Sequence, residues 1–193
     1  VGIVVDRKAA ARAIEDFLRA VGHAPEGDLA GTGQRVADAW ADDLLAGEPV
    51  DAAALLSDGA VACEGSGGGL VLLRDIAVAT MCPHHLLPAI GSANVAYLPG
   101  RRIAGLGRIA HVVDVLSRRL TLQEHIGTAV ADLLVDELGA VGALCHLRLT
   151  HTCLVARGER QAGALVETIA LAGSFTEPGP DRELALTTLR SRP

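Results

Sequence analysis

The sequence predicts an α+β fold, an antiparallel ββααββ core behind an N-terminal helical arm. Three observations carry this reading. Strand-like runs at residues 69–80 and 86–98 are followed, after an interval, by two more at 143–156 and 163–173. The interval between them repeats its apolar residues with the period of a helix, twice. Ahead of all this, two further helical patterns are separated by a glycine-rich stretch. A chain of 193 residues, half of them hydrophobic, suits one domain with an arm. The expected division is an arm over 1–58 and the main domain over 59–193.

In order, residues 7–21 place Ala10, Ile14, Phe17, Leu18 and Val21 on one helical face, with Asp6 as N-cap. Residues 22–33 hold four glycines and a proline and read as a loop. A second helix is expected over 34–45, with Val36, Trp40 and Leu44 one turn apart, and a short helical turn over 51–58. The run Glu64 to Gly69 is followed by strand-like Leu70–Leu73. It therefore reads as a flexible connection and not as a phosphate cradle, which needs a helix N-terminus after it. Between the first two strands lies a turn at 82–85. In 107–119, Ile109, Val112, Val113 and Leu116 share a helical face. In 122–138, Ile126, Val130, Leu133, Leu134 and Leu138 do the same, and Gly139 and Gly142 stop that helix. The last two strands are expected to form a hairpin across Arg157–Arg160.

Composition excludes some partners. Phe17, Trp40, Tyr97 and Phe175 are the only aromatic residues, too few for a base-stacking nucleic-acid surface. A formal net charge of −6 argues against general polyanion binding. Lys8 is the single lysine, so cationic contacts fall to arginine, the better bidentate partner for anions. Four irregularly spaced cysteines do not read as a disulfide framework. With neither a transmembrane-length apolar run nor a signal-peptide pattern, the expected location is the cytoplasm, with no membrane partner.

The chemistry concentrates in Met81-Cys82-Pro83-His84-His85 and in His151-Thr152-Cys153. Cys82 and His85, three residues apart, fall on one side of a tight turn. Strand alternation would put Cys145, Leu147, Leu149, His151 and Cys153 on one face, with His151 and Cys153 about 7 Å apart. Cys145 would lie roughly 27 Å further along, too far to share a site. Cys82, His85 and Cys153 make three ligands for Zn2+, one fewer than a closed structural site needs, which leaves a position for a catalytic water. Cys63 stays open as a fourth ligand. On spacing alone, buried thiols and satisfied histidines explain these residues equally well. Thr121-Leu122-Gln123-Glu124 reads first as a capping box and second as a carboxylate that could accept from a purine. Arg101, Arg102, Arg108, Arg118 and Arg119 cluster with only Asp114 opposing them. Arg108 and His111 begin a helix, where an anion is favoured, and Arg118 and Arg119 end it, where they would complement its dipole.

Five separated segments, in this order, resemble the GTP cyclohydrolase I family: residues 82–88, 95–99, 105–109, 122–124 and 151–158, within a resemblance spanning about 30–190. The resemblance implies the tunnelling fold, with subunits joined into toroidal rings, active sites between subunits, and a homodecamer of two stacked pentamers. It implies zinc held by Cys82, His85 and Cys153, and His84 and His151 assisting proton transfer. Gln123 and Glu124 would line the guanine pocket. Arg35, Arg108 and Arg157 would bind the triphosphate. The implied reaction opens the imidazole ring of GTP at C8, releases formate and gives 7,8-dihydroneopterin triphosphate, a step toward pterins. Departures from the family pattern are Pro83 for an acid, Gly107-Arg108 for Ser-Lys, His111 for an arginine, Thr32-Gly33 for Thr-Pro, and Leu165-Val166-Glu167 for small hydroxylated residues. They leave a second reading open, a specialised paralogue that acts on another guanine nucleotide or nucleoside or stops at a ring-opened product. Two other classes are a nitrile reductase of the same fold, for whose cysteine and nicotinamide chemistry no motif is present, and a zinc-stabilised binding protein that catalyses nothing.

Overall fold

Asp6 caps the first helix as expected, its carboxylate accepting from the Ala9 N–H at 2.9 Å. The computed structural model describes residues 5–63 and 69–191. The Glu64–Gly68 part of the glycine-rich run lies outside those residues. Helix α1 spans Arg7–Ala20 and α2 spans Thr32–Ala39, continuing through a π-helical turn at Trp40–Leu44. Helix α2 begins two residues earlier than its apolar pattern suggested, after its N-cap Gly31, whose left-handed backbone glycine adopts without strain. Gly33 explains the departure at Thr32-Gly33: a Cβ there would stand 2.4 Å from the Ala11 backbone oxygen of α1. Arg7 on α1 forms ion pairs with Asp38 and Asp42 on the second helix.

A Gly33→Ala variant should lose about 1–3 kcal/mol, the range for overpacking at a tight contact. The measurement is the apparent melting temperature, with protease cleavage between α1 and α2 as the local readout. An unchanged melting curve with unchanged cleavage would show that α1 does not depend on this contact.

The chain continues through α3 (Ala52–Ser57), whose N-cap Asp51 accepts from two backbone N–H groups. Strands β1 (Val61–Ala62), β2 (Val71–Met81), β3 (Pro88–Leu98) and β4 (Arg102–Ile103) follow. Then come α4 (Leu106–Ser117), α5 (Gln123–Leu138), β5 (Gly142–His151), the short turn α6 (Thr152–Val155), β6 (Val166–Gly173) and α7 (Pro180–Arg190). The main sheet is antiparallel in the order β2-β3-β5-β6, and β1 pairs with β4 in a separate two-stranded ribbon. The structure is therefore α+β with antiparallel sheets.

Helices α4 and α5 pack on one face of the main sheet. Their buried stripes, Ile109, Val112, Val113 and Leu116, then Ile126, Val130, Leu134 and Leu138, meet Val78, Ala93, Val95, Leu147 and Leu149. Each fully buried aliphatic side chain here contributes about 1.5–3 kcal/mol, so this layer anchors both ends of the candidate site. Helix α7, which the sequence reading did not anticipate, packs Ala185 together with Phe175, from the turn ahead of it, against Ala96 and Leu144. Among the described residues, no helix is long and apolar enough to cross a membrane.

One expectation fails at the end of β5. The strand stops at His151, so Cys153 does not alternate with it. Thr152 donates from Oγ1 to the Pro88 carbonyl at 2.7 Å, and the backbone turns into α6 instead of continuing along the sheet. The last two strands do pair antiparallel across 157–160 as expected, but their connection is longer than the sequence suggested. Strand β6 begins only at Val166, and its pairing with β5 reaches no further than Leu149.

Candidate metal centre and the cavity around it

Strands β2 and β3 are joined by a turn closed at both levels. The Cys82 N–H donates to the Leu87 carbonyl at 3.0 Å, and the Leu86 N–H donates back to the Cys82 carbonyl at 2.9 Å. That second bond makes one helical turn of residues 82–86, which brings Cys82 and His85 to the same side. Leu86 takes the left-handed conformation at φ 53°, an unfavourable place for a branched-chain residue and a type of strain that concentrates at functional sites.

Cys153 arrives by the turn at Thr152 and not by strand alternation. Its Sγ, the Cys82 Sγ and a ring nitrogen of His85 all lie within 4.8 Å of one another. Tetrahedral zinc with Zn–S near 2.3 Å holds its sulfur ligands about 3.8 Å apart, so two thiolates and an imidazole at this spacing fit it. Three ligands leave one position open. Cys63 does not belong to this group of donors: its N–H bonds to the Arg101 carbonyl beside the β1–β4 ribbon. Cys145 is fully buried, and burial pushes its thiol up to about 12, so it stays protonated and inert.

A cavity of about 200 Å³ opens over these donors. It is lined by Thr80, Cys82, His84, His85, Gln123, Glu124, His151 and Cys153, among others. Seven of the eleven residues singled out from the sequence thus converge. Arg35, Arg108, His111 and Arg157 do not line it. Arg35 donates to the Ala30 carbonyl and to Thr32 Oγ1, and Arg108 pairs with Asp58 at 2.6 Å. His111 and Arg157 are exposed. Sites that enclose a whole small ligand run to about 300–1,000 Å³. This cavity in a single chain is the size of one heterocyclic group.

The capping box does not form. The N-cap of α5 is Leu122, in extended backbone with no side-chain cap bond, and Thr121 Oγ1 reaches only the Leu122 carbonyl, at 3.5 Å. Residue 120 bridges in parallel to Met81, and the Leu120 N–H bonds to Glu48, which draws this segment along β2 and starts the helix one residue late. Glu124 therefore falls at the second helical position, exposed to the cavity and near the positive end of the helix. Arg118 is the C-cap of α4 and Arg119 follows it, at the helix end where the sequence placed them. Arg119 donates to the Gly47 and Val50 carbonyls, and Arg118 pairs with Asp114, with Asp43 at 3.9 Å. Arg119 ties the end of α4 to the 47–50 segment, whereas Arg118 pairs chiefly within its own helix.

Gln123 sits almost fully buried under the cavity floor. Its Nε2 faces the Leu147 and Val166 carbonyls and Thr168 Oγ1, at 3.2, 3.1 and 3.0 Å. Two of those partners can only accept, which fixes the amide. Oε1 must then accept from His151 Nε2, 2.8 Å away. Gln123 thus holds the His151 ring and its tautomer, a role that the spacing of residues 122–124 did not reveal. The sequence reading also missed Thr80. The signal was available, since Val78 and Thr80 alternate on one face of β2 just ahead of Cys82.

Residues 10–190 match the sequence profile of the family described as GTP cyclohydrolase I. The chain is 43% identical over 180 residues to GTP cyclohydrolase 1 of Leifsonia xyli subsp. xyli, covering 93% of each chain. It is 40% identical over 161 residues to GTP cyclohydrolase 1 of Deinococcus radiodurans, covering 83% of this chain and 73% of that one. With GTP cyclohydrolase 1 of Listeria innocua serovar 6a it shares 36% over 188 residues, 96% and 97% of the two chains.

Proposed function

The chain belongs to the GTP cyclohydrolase I family, and from that premise we propose that it is a zinc-dependent hydrolase that opens the guanine ring of GTP at C8. The products are formate and 7,8-dihydroneopterin triphosphate. The observation that carries the reading is the convergence of Cys82, His85 and Cys153 with His84, His151 and Glu124 around one cavity.

Cys82, His85 and Cys153 would hold the zinc, which when bound would supply an activated water near neutral pH. The chain's own residues do the rest. Glu124 accepts from the N1–H and exocyclic amine of guanine, which sets the base in one orientation. His84 and His151 move protons to and from the purine ring as it opens. Gln123 keeps His151 in a single ring orientation by accepting from Nε2.

Further parts of the proposal concern the assembly. The family's tunnelling fold and ring-shaped homo-oligomer, a homodecamer, would set active sites between subunits, with residues 1–58 as the arm and 59–193 as the catalytic domain. Two features support this. Arg35, Arg108, His111 and Arg157 lie outside the single-chain cavity, as expected if a neighbouring subunit completes the triphosphate site. Among the described residues, the apolar face of α1 is also left open, with Phe17 60% exposed beside Trp40 and Leu86. The cytoplasm is the expected location.

Gly107 favours a second reading. A Cβ there would meet nothing within 4 Å, so packing does not force the loss of the hydroxyl that the family pattern carries. The altered position would then reflect a different sugar or a different end point. Incubating the zinc-loaded protein with GTP and measuring formate and pterin fluorescence together decides the matter. Equimolar formate and pterin are expected. Formate without pterin supports the ring-opened end point, and no formate from any guanine nucleotide rejects the hydrolase.

A further inference from the structure

Thr80 belongs to β2 and points to the helix-facing side, in register with the buried Val78. It is 4% exposed, and its Oγ1 has no hydrogen-bond partner among the described residues. A buried hydroxyl without a partner is costly and uncommon. Valine would fill the same volume beside the same apolar neighbours with no polar group to satisfy. Yet Thr80 lines the cavity over the metal donors.

The register explains what the hydroxyl faces. Thr80 pairs with Ala89, and Ala89 pairs with His151, so the three form a row across three strands on one face of the sheet. Ala89 is 1% exposed, and only its methyl group stands between the other two. Two strand spacings set Thr80 and His151 roughly 10 Å apart. A planar bicycle lying over Ala89, with a hydrogen bond at either side, spans such a gap. Along the other axis, Cys82 follows Thr80 by two residues, and the segment leading to Glu124 runs beside β2 through the Met81–Leu120 bridge.

We propose that Thr80 is a specificity-determining residue whose Oγ1–H donates to an acceptor on the flank of the bound purine, O6 or N3, both of which 8-oxo-GTP keeps. This rests on the reading of the cavity as a guanine nucleotide site. Thr80 lines the same cavity as Cys82 and Glu124, so its hydroxyl would meet the flank of a base held there.

The test is equilibrium binding of 8-oxo-GTP, in which C8 already carries oxygen, to the zinc-loaded wild type and to Thr80→Val and Thr80→Ser. The valine variant should bind about 5–30-fold more weakly, the loss of one net hydrogen bond. Serine should stay within about threefold of wild type, because it keeps the donor. Zinc content should be the same in all three. Valine binding as tightly as wild type with its zinc in place overturns the assignment, and so does serine weakened as much as valine, which would mean packing alone. Wild type that holds zinc and binds no guanine nucleotide overturns the cyclohydrolase reading itself, and the assignment with it.

Discussion

Replacing Cys153 with serine is expected to strip the protein of zinc and lower formate release by about 10³-fold or more. A serine hydroxyl keeps its proton at neutral pH and is a poor zinc ligand, whereas the thiolate is a strong one. Only Cys82 and His85 would then remain of the three donors that lie within 4.8 Å of one another. A loss of about 4 kcal/mol of transition-state stabilisation is a factor of about 10³ in rate. Two other cysteines give the contrast. Cys145→Ser should keep zinc and activity, since that thiol is sealed under the sheet and held protonated by burial. Cys63→Ser should keep both as well, because Cys63 is engaged beside the β1–β4 ribbon and is not one of the three converging donors. Metal analysis per subunit alongside a formate assay reads all three. Zinc retained in Cys153→Ser, or lost in Cys63→Ser, would redraw the ligand set.

The extent to which these features were legible in the sequence follows from the range of the interactions behind them. The apolar stripes of α1, α4 and α5 are periodic within a single element, so residues such as Ile109, Val113, Ile126 and Val130 could be placed on a buried face from the sequence. Cys82 and His85 could be paired for the same reason, because one helical turn relates them. Cys153 could be named but not correctly placed. What turns the chain at Thr152 is a bond to Pro88, on another strand, and strand alternation cannot show a bond of that kind. The capping box failed in the same way: Thr121 and Glu124 have the right spacing, but the pull of β2 and Glu48 on residue 120 shifts the start of α5. Long-range partners also govern the arginines. Asp58 for Arg108, and the Gly47 and Val50 carbonyls for Arg119, lie far away in the chain. Side chains with local partners were legible, and those whose partners come from another element were not.

Gln123 is the clearest case of the second kind, and its replacement should have the other large effect. Gln123→Leu would leave the Leu147 and Val166 carbonyls, Thr168 Oγ1 and His151 Nε2 without their present partner in a site almost closed to water. Each buried group left unpaired costs about 1–3 kcal/mol, and the four share one partner, so a loss on the order of 3 kcal/mol in stability is expected. The catalytic effect has a separate origin. Without an acceptor at Nε2, the His151 imidazole is free to rotate and to exchange tautomers, and a positioned acid–base group is worth about 10²–10⁴-fold in rate. Turnover should fall within that range while KM changes much less, because the Gln123 amide is already engaged by Leu147, Val166, Thr168 and His151. Gln123→Glu separates the two effects. It retains an oxygen against His151 but sets a second oxygen against two carbonyls, so it should remain destabilised while recovering part of the lost turnover. The readouts are kcat, KM, zinc content and apparent melting temperature for both variants. If the two variants lose turnover equally and in step with melting temperature, Gln123 is only a structural tie between α5, β5 and β6. If glutamate recovers turnover without recovering stability, its hold on the His151 ring is what the reaction uses.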